Sequence, residues 1–338
     1  MNVIKSEKNN LRIISKSSKI FFSEIAIVCP TKNQHRNVDR LLDSLRKQTK
    51  KPFQIIVCES GTFAPEIMEK YISDLNIIYL KSPYMGQVLQ RNYAYSYLDK
   101  KIKVVINLDD DITLHEDSLE NFLICWNLEK SKPGLPLGGM SLNVVDAEIP
   151  KDSIYRKIFY MGISEKGGVS KAGYAATYFP TLKVIETKWL IGGATGWERS
   201  IIENHKHPID FSTHWAVCED LIYSYPLHHS YRLIVAKDAH VNHNQTYSEM
   251  SLKKGIYYGL SLVIMRFYFV SINKDLSIFL FFWMTLGQLV AYMLMSFRGD
   301  RRSIGFFLGG VKGIILCLLT VLGKGSSKEL AKRIFNKF

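Results

Sequence analysis

Cysteine is scarce in this sequence, and no paired-cysteine motif occurs. Five cysteines are scattered over 338 residues and none forms a CxxC pair. This pattern excludes a disulfide framework and indicates reduced, mostly buried thiols in a cytosolic catalytic domain. Residues 1–20 are polar and basic, without the apolar core of about 7–15 residues that a secretory signal has, so we expect no signal peptide.

Acidic residues are fewer than basic ones, 31 against 44, which gives a net charge of +13. An excess of positive charge favours an anionic partner, such as nucleic acid, anionic lipid or a phosphorylated substrate. The basic residues collect near the termini and beside apolar runs, and no nucleic-acid recognition motif is present. We therefore expect membrane lipid and a phosphorylated substrate as partners, and no nucleic acid.

Charge is absent from a long C-terminal run, Leu276–Phe297, which is long enough to cross a bilayer as a helix. A second run, Ser303–Leu322, is interrupted only by Lys312. Upstream, Ile256–Ile272 is apolar and aromatic with Arg266 inside, which is more typical of a helix lying in the membrane interface. The alternative is that these runs are core helices of a soluble protein.

The charges around these runs bear on their orientation. A hairpin with both ends in the cytosol would place Arg298, Arg301 and Arg302 outside, against the positive-inside tendency. A shallow re-entrant or in-plane arrangement removes that conflict. We expect residues 251–338 to form a membrane-associated helical region with a basic tail, at the inner membrane, with the catalytic domain on the cytoplasmic side.

Strands and helices alternate from Glu24 onward, after a basic arm at residues 1–22. The pattern predicts a catalytic domain at residues 23–250 with an α/β fold, in which helices cover both faces of a parallel sheet. Ligands of such sheets bind beyond the carboxyl ends of the strands. Residues 131–190 are richer in Gly, Pro and Ser and less periodic, which predicts an irregular flap over the substrate.

Three consecutive aspartates, Asp109, Asp110 and Asp111, follow a predicted buried strand at residues 104–108. Burying like charges so close together is costly unless a cation lies between them. A hard divalent metal would balance the charge and could also hold a diphosphate. The alternative is a solvated acidic turn before a helix that begins near Asp117.

A second acidic pair, Glu219-Asp220, stands about 110 residues later. Sugar transfer with inversion needs a group that stabilises the leaving diphosphate and a separate carboxylate that accepts the proton of the acceptor hydroxyl. Two separate acidic positions meet that requirement, although Glu219 and Asp220 could equally be first-turn charges of a helix.

Two basic side chains are further candidates. His243 follows a predicted strand and could bind a metal or a diphosphate, or be structural. No cysteine or third histidine stands at zinc-ligand spacing beside it, so a zinc site is not expected. Arg91 could contact a phosphate with two parallel hydrogen bonds, or lie on a solvated helix face.

The order of these segments resembles that of the family 2 glycosyltransferases with the GT-A fold, over roughly residues 23–245. IAIVCPTKN is similar to the opening strand and PTYN/PTKN turn of the family, IIVCESGT to VIVVDNGST, and MGQVLQRN to the GxxxARN segment. LDDDI resembles the DxD motif, GGATGWER the GaxxxfRR segment, CED the ED motif, and YRLIVAKDAHVNH the segment yrlvyvPDAxvxH. The resemblance implies a GT-A fold, a Rossmann-like mixed sheet, with C-terminal membrane-associated helices.

The resemblance also implies a role for each matched residue. Asp220 would be the catalytic base, and Asp111 and His243 would bind Mg²⁺ or Mn²⁺. The residues implied on the donor side are Pro30, Thr31, Glu59, Arg91, Asp109 and Asp110, and those implied on the acceptor side are Gly193, Trp197 and Glu219. Glu59 stands where the family has an aspartate that contacts the base, which leaves the base preference open.

The implied activity is inverting, metal-dependent transfer of a sugar from a UDP-, GDP- or dTDP-linked donor to a hydroxyl of a glycan, with a lipid-linked acceptor expected, in polysaccharide biosynthesis. A polyprenyl-phosphate sugar transferase shares the fold and motifs but uses a lipid phosphate as its acceptor. A catalytically inactive, membrane-anchored protein that binds nucleotide sugars is the alternative from another class. A processive synthase is disfavoured, because no QxxRW-like sequence occurs.

Overall fold

The chain folds around one mixed sheet with helices on its faces. In a computed structural model, the described residues are 19–149, 151–162, 166–206, 217–244, 250–323 and 325–335. The strands found in these residues, β1 to β9, are Ile25–Thr31, Gln54–Glu59, Ile77–Lys81, Val104–Leu108, Ile112–Leu114, Leu137–Val144, Ile185–Thr187, Ala194–Glu198 and Arg232–His243. The helices, α1 to α11, are His35–Arg46, Glu66–Glu69, Gln87–Tyr95, Ser118–Lys130, Ile154–Ile158, Arg199–Asn204, Glu219–Ser224, Leu252–Ile272, Ile278–Phe297, Arg301–Leu322 and Ser327–Phe335.

The strand order is β3-β2-β1-β4-β8-β6-β9-β5, and β7 pairs with β9. Strands β1 to β4 are parallel, as the alternation of elements predicts, but β8 runs antiparallel to β4 and to β6. The chain leaves β6 at the edge where β4 also ends, passes over that edge, and re-enters the sheet from the same side. The expectation of a purely parallel sheet is therefore wrong, whereas the mixed sheet implied by the resemblance is confirmed.

The core is formed where the sheet meets α1 and α4. Strand β1 is buried along its whole length because it lies between β2 and β4. In α1, the apolar residues at helical spacing, Val38, Leu41, Leu42 and Leu45, are all buried. Full burial of a side chain of this kind contributes about 1.5–3 kcal/mol relative to exposure, which anchors the helix beneath the edge where β1 and β4 end.

The segment predicted as irregular contains a central strand. β6 is buried at every residue, although Gly138 and Gly139 lie within it. A Cβ at Gly139 would lie 2.7 Å from the ring of Trp197, so the glycine leaves room for an aromatic side chain on the neighbouring strand. The glycines that suggested a flap therefore permit close packing inside the sheet.

The N-terminal arm and the catalytic domain meet earlier than expected. Residues 1–18 of the predicted arm lie outside the described residues. Ile20 is buried, and its backbone N–H donates to Oδ1 of Asn127 on α4 at 2.8 Å. Residues from about Ile20 onward therefore pack against the catalytic domain.

Helices α8, α9 and α10 are long and apolar enough to cross a membrane by length and composition. They differ in burial: 67% of the apolar window of α8 is buried inside the protein, against 28% for α9 and for α10. Helix α8 packs on the catalytic domain, where Phe269 meets Tyr225 edge to face at 5.2 Å. Of the three, α8 is thus the most buried within the protein.

Candidate functional site

The three aspartates lie in the turn between β4 and β5, at the carboxyl edge of the sheet. A cavity of about 320 Å³ lies above β1 and is lined in part by Pro30, Thr31 and all three aspartates. A second cavity, of about 520 Å³, is lined in part by residues of α7 and of α8. Asp109 and Gln87 line both cavities, so the two spaces meet there. We call them the aspartate cavity and the α7–α8 cavity.

Arg91 joins the two acidic positions of the sequence. Its guanidinium is fully buried; Nη2 lies 2.7 Å from Oδ1 of Asp109 and Nη1 lies 3.1 Å from Oε1 of Glu219. The solvated-face alternative for Arg91 is therefore wrong. The cation draws together carboxylates that are 110 residues apart in sequence, which fixes α3, β4 and α7 around one point.

Glu219 is held by neutral and charged donors. Nε2 of Gln87 donates to its Oε1 at 2.7 Å, beside the contact with Arg91. Burial raises the pKa of Glu219 to about 7, against the opposing effect of Arg91. Its Oε2 is buried without a hydrogen-bond partner. Glu219 therefore acts in the resting site as an anchor for Arg91 and Gln87.

Asp220 lines the α7–α8 cavity at the first turn of α7. Burial raises the pKa of Asp220 to about 6, and the hydrogen bond from the backbone N–H of Leu221, at 2.9 Å, lowers it in part. Cys218, which precedes the pair, has a left-handed backbone with φ of 61°. A non-glycine residue in that region is strained, and such strain concentrates at functional sites.

Asp110 belongs to the aspartate cavity. Thr31 Oγ1 donates to its Oδ2 at 2.5 Å, which ties the end of β1 to the turn after β4. Burial raises the pKa of Asp110 to about 6; the Thr31 hydrogen bond lowers it, and the charges of Asp109 and Asp111 raise it. Closely spaced carboxylates of this kind ionise fully only when a cation is near.

Asp111 and His243 are brought together by strand pairing. β5 pairs antiparallel with the end of β9, with Ile112 opposite His243. As a result, His243 Nε2 lies 3.3 Å from Oδ1 of Asp111, a buried atom with no hydrogen bond of good geometry. Burial lowers the pKa of His243, but the interactions with Asp111 prevail and its pKa is raised above the usual value.

These two atoms fit as neighbouring ligands of one divalent ion. Two adjacent ligands of an octahedral ion with bonds of about 2.1 Å lie about 3 Å apart, close to the observed separation. The part of the chain that the structure describes contains no group of three or more His, Cys, Asp or Glu placed to hold a metal. An ion bound by Asp111 and His243 would therefore take its other ligands from a bound molecule or water.

Glu59 is placed differently from a base-contacting residue. Its side chain is fully buried, and Oε1 accepts hydrogen bonds from the backbone N–H groups of Asn33, at 3.1 Å, and Gly61. The carboxylate thus holds the turn that follows β1 against the end of β2. Its Oε2 is buried without a hydrogen-bond partner, 3.8 Å from Nε2 of His35.

The two remaining residues expected on the acceptor side, Gly193 and Trp197, lie in different environments. Gly193 lines the α7–α8 cavity, accepts the backbone N–H of Asp109 at 2.8 Å, and is so close that a Cβ would overlap the Asp109 carboxylate. Trp197 lies in the core with 2% exposure, edge to face with Tyr223 at 5.2 Å. Gly193 supports Asp109, whereas Trp197 is a packing residue with no access to a ligand.

Several lining residues were missed by the sequence analysis. Gln87 stands at the first turn of α3, and its place beside Glu219 depends on a contact across 132 positions. Tyr258 and Leu262 reach the α7–α8 cavity from α8, which the sequence assigns to the membrane region. No local pattern signals such contacts.

Comparison with known proteins identifies similar sequences and similar folds. Residues 26–124 match the family model described as Glycosyl transferase family 2. The fold is similar to that of S. aureus TarS 1–349, with 15% identity and a TM-score of 0.51 over 92% of this chain and 82% of that one. It is also similar to the mannosyltransferase PcManGT from Pyrobaculum calidifontis, whose structure contains GDP-Man and Mn²⁺, with 12% identity and a TM-score of 0.50 over 90% of this chain and 88% of that one.

Among curated proteins, no relative of this chain is found. The family match covers the strands and turns that carry Thr31, Arg91 and the three aspartates. The fold of the chain is similar to that of the two solved structures over 90% or more of its length. The chain therefore has the GT-A fold, extended by three long apolar helices, and its residues 26–124 are similar in sequence to the family 2 glycosyltransferases.

Proposed function

We propose that the protein is an inverting, metal-dependent transferase that moves a sugar from a nucleotide-diphosphate donor to a hydroxyl of a lipid-linked glycan. The observation that carries this proposal is the meeting of two cavities at Asp109. The aspartate cavity is lined by the three aspartates. The α7–α8 cavity is lined by His243, which lies 3.3 Å from Asp111, and by Asp220, a carboxylate with a raised pKa that has no cationic partner within ion-pair distance among the described residues.

The donor fits the aspartate cavity. Pro30 and Thr31 would contact the nucleoside, with Glu59 shaping the turn beneath the base rather than reaching it from the cavity. Asp111 and His243 would hold Mg²⁺ or Mn²⁺ together with donor oxygens; the structure of PcManGT with GDP-Man and Mn²⁺ supports this choice. Such an ion neutralises the diphosphate and stabilises it as a leaving group.

The acceptor fits the α7–α8 cavity. Asp220 would accept the proton of the acceptor hydroxyl, and its pKa of about 6 leaves it ionised yet basic enough near neutral pH. Arg91 keeps Asp109 and Glu219 in place between the two substrates. Inversion follows if the hydroxyl attacks the anomeric carbon from the side opposite the diphosphate.

The position of α8 supports a membrane-bound acceptor. Tyr258 and Leu262 of this apolar helix form part of the acceptor cavity wall, so the site opens beside the part of the chain suited to lipid. An acceptor carried on a lipid at the cytoplasmic face of an inner membrane would reach Asp220 without leaving the bilayer. This placement supports a role in polysaccharide biosynthesis.

Nucleotide release by detergent-purified full-length protein tests the proposal. UDP-, GDP- and dTDP-sugars are supplied singly, with Mn²⁺ or with chelator, and nucleotide binding is measured in parallel. We expect metal-dependent release or binding for one base, and its loss in Asp111→Ala. Absence of both binding and release across the panel would turn the interpretation toward an inactive protein. A product with sugar directly on a lipid phosphate would identify a polyprenyl-phosphate sugar transferase instead.

A further inference from the structure

A buried arginine lies in the middle of the apolar surface where α8 meets α9. Arg266 is only 9% exposed, and its Nε is buried without a hydrogen-bond partner. Its Nη1 donates to Oε1 of Gln288 on α9 at 3.0 Å. A charged side chain inside an apolar helix is costly and marks a functional position when a partner is missing.

A second guanidinium lies near the same aromatic ring, that of Tyr174. The Cζ atom of Arg266 is 5.8 Å from the ring centre of Tyr174, and that of Arg156 is 5.4 Å from it. Arg156 also donates to the Tyr174 hydroxyl at 2.9 Å. Over the described ranges, no carboxylate lies within ion-pair distance of either arginine. Two cations near one ring, neither in a direct ion pair, repel each other, and an anion bound by both would relieve that repulsion.

Helix geometry connects this pair to the acceptor cavity. Tyr258, Leu262 and Arg266 stand four residues apart on successive turns of α8, so they share a face of the helix. The first two line the cavity of Asp220, and Arg266 lies one turn farther, about 6 Å along the axis. Burial raises the pKa of Cys218, at the start of α7, to about 11, and the positive charge of Arg266 lowers it in part.

The outer end of the pair is both cationic and apolar. Arg156 is half-buried on α5, between Ile154 and Ile158, whose exposures are 78% and 53%. Exposed isoleucines beside a guanidinium suit a molecule that joins a phosphate to a hydrocarbon chain. Arginine is the side chain best matched to a phosphate, because its planar donors bind two oxygens at once.

We propose that Arg266, Tyr174 and Arg156 form a binding site for the phosphate or diphosphate of an isoprenoid-type lipid, with the hydrocarbon chain over Ile154 and Ile158 and the glycan directed along α8 toward Asp220. This inference rests on the proposed function and names its acceptor class. The separation between this site and Asp220 sets the length of glycan that can place its hydroxyl beside the base. The site therefore selects acceptors by the length of the glycan.

Binding of farnesyl diphosphate to the full-length protein in detergent tests the site without donor or metal. Farnesol and inorganic diphosphate are the comparison probes, and calorimetry gives the dissociation constants. We expect Arg266→Gln and Arg156→Gln to weaken farnesyl diphosphate binding about tenfold or more, since each removes a charge-assisted contact. Arg266→Lys should restore part of the loss. Lys312→Gln, which removes an exposed charge from α10, is the matched control and should have no effect.

Each outcome decides the matter. Unaltered binding in Arg266→Gln and Arg156→Gln would overturn the site, and equal affinity for inorganic diphosphate would overturn its assignment to a lipid. If Arg266→Gln fails to fold, Arg156→Gln carries the test, because that side chain is half-buried on a surface helix. Nucleotide binding with Mn²⁺ is measured in the same samples. If the wild type binds farnesyl diphosphate but does not bind nucleotide, the proposed function is refuted and the lipid site is retained.

Discussion

Asp220 is the residue on which the proposed chemistry depends most directly. It lines the acceptor cavity, and in Asp220→Asn the side chain keeps its shape but cannot accept a proton. We expect this change to lower transfer by about 10²–10⁴-fold, the usual contribution of a general base. Nucleotide binding with Mn²⁺ should be nearly intact, because the proposed donor site is the aspartate cavity, which Asp220 does not line. Turnover and calorimetric binding are measured side by side.

The control for this change is Asp238→Asn, which removes an exposed carboxylate that lines neither cavity and is paired with Lys237. It should leave both measurements unchanged. A parallel loss of donor binding and turnover in Asp220→Asn would contradict the base assignment and place Asp220 in the donor site.

The raised pKa of Asp220 predicts the acid limb of the pH profile. The base acts only when ionised, so transfer should fall as pH drops through about 6 and be roughly tenfold lower at pH 5 than at pH 7. The raised pKa also makes the free energy of unfolding fall as pH rises. Between the ordinary pKa of the unfolded state and the raised pKa of the folded state, folded Asp220 keeps its proton while unfolded Asp220 has lost it. Asp220→Asn should therefore raise the melting temperature at pH 7 more than at pH 4.

At neutral pH a higher melting temperature of Asp220→Asn, by about 2–5 °C, would show that the carboxylate is held at a cost in stability. A lower melting temperature at pH 7 than the wild type would contradict the raised pKa. A pH profile of transfer that stays flat between pH 5 and pH 7 would exclude Asp220 as the group that limits the rate.

Much of the candidate site follows from short motifs, but the direction of individual side chains does not. The aspartates and Asp220 lie at element ends, where the sequence places them. Whether Arg91 faces solvent or the core depends on the packing of α3, and whether Trp197 faces a ligand depends on the register of β8. One step of register reverses every side chain of a strand, and that register is fixed by contacts distant in sequence.

Among the elements, α8 both lines the α7–α8 cavity and packs closely against α10. Glycines on both helices bring the backbones together, and a Cβ at Gly309 would overlap the carbonyl oxygen of Ile256. Gly309→Val should push α8 away from α10, cost about 1–3 kcal/mol as other overpacking changes do, and reduce transfer. Melting temperature and turnover in detergent check this expectation.

The matched control is Leu308→Val, at a position of the same helix that is 46% exposed. This change introduces valine without adding bulk at the contact between α8 and α10. It should leave the melting temperature and the turnover close to those of the wild type. Nucleotide binding should survive in Gly309→Val, because the aspartate cavity has no wall from α8 or α10. Loss of nucleotide binding, or an unchanged melting temperature, would contradict this account of the contact.

Element prediction succeeds where periodicity is strong and fails where packing overrides it. The apolar spacing in α1 predicts a helix that the structure confirms. β6 was missed because its glycines read as a loop, although they make room for Trp197. The burial of α8 was missed because an apolar helix that packs on protein and one that faces lipid have the same composition.

For the whole molecule, the contacts of α9 set how deeply its first half can enter a membrane. Trp283 Nε1 donates to the carbonyl of Ile158 at 2.9 Å, and its ring stacks on Phe159 at 5.0 Å. Helix α5 also carries Lys157, which is exposed and paired with Asp152 at 3.1 Å. Because such charges belong at the head groups, the half of α9 that contacts α5 should lie near the membrane surface.

This geometry favours an in-plane or re-entrant course over a perpendicular crossing. If Ile278 marked the hydrocarbon boundary of a perpendicular helix, Trp283 would lie about 8 Å below it, at mid-leaflet depth. In an in-plane helix, Trp283 stays at the boundary, as tryptophan prefers. The shallow course also keeps Arg298, Arg301 and Arg302 on the same side as the basic tail, so the charge conflict of a spanning hairpin does not arise.

Fluorescence quenching by brominated lipids distinguishes the two courses. The full-length protein is reconstituted in vesicles with bromine at the 6,7 or at the 11,12 positions of the acyl chain. We expect stronger quenching by the shallow bromines, and Trp283→Phe should reduce it, because Trp283, 40% exposed on α9, is the most exposed tryptophan among the described residues. Trp126→Phe is the control and should leave the quenched fraction unchanged. Stronger quenching by the deep bromines, lost in Trp283→Phe, would instead require a spanning α9, and α5 would then have to leave it when the protein enters the bilayer.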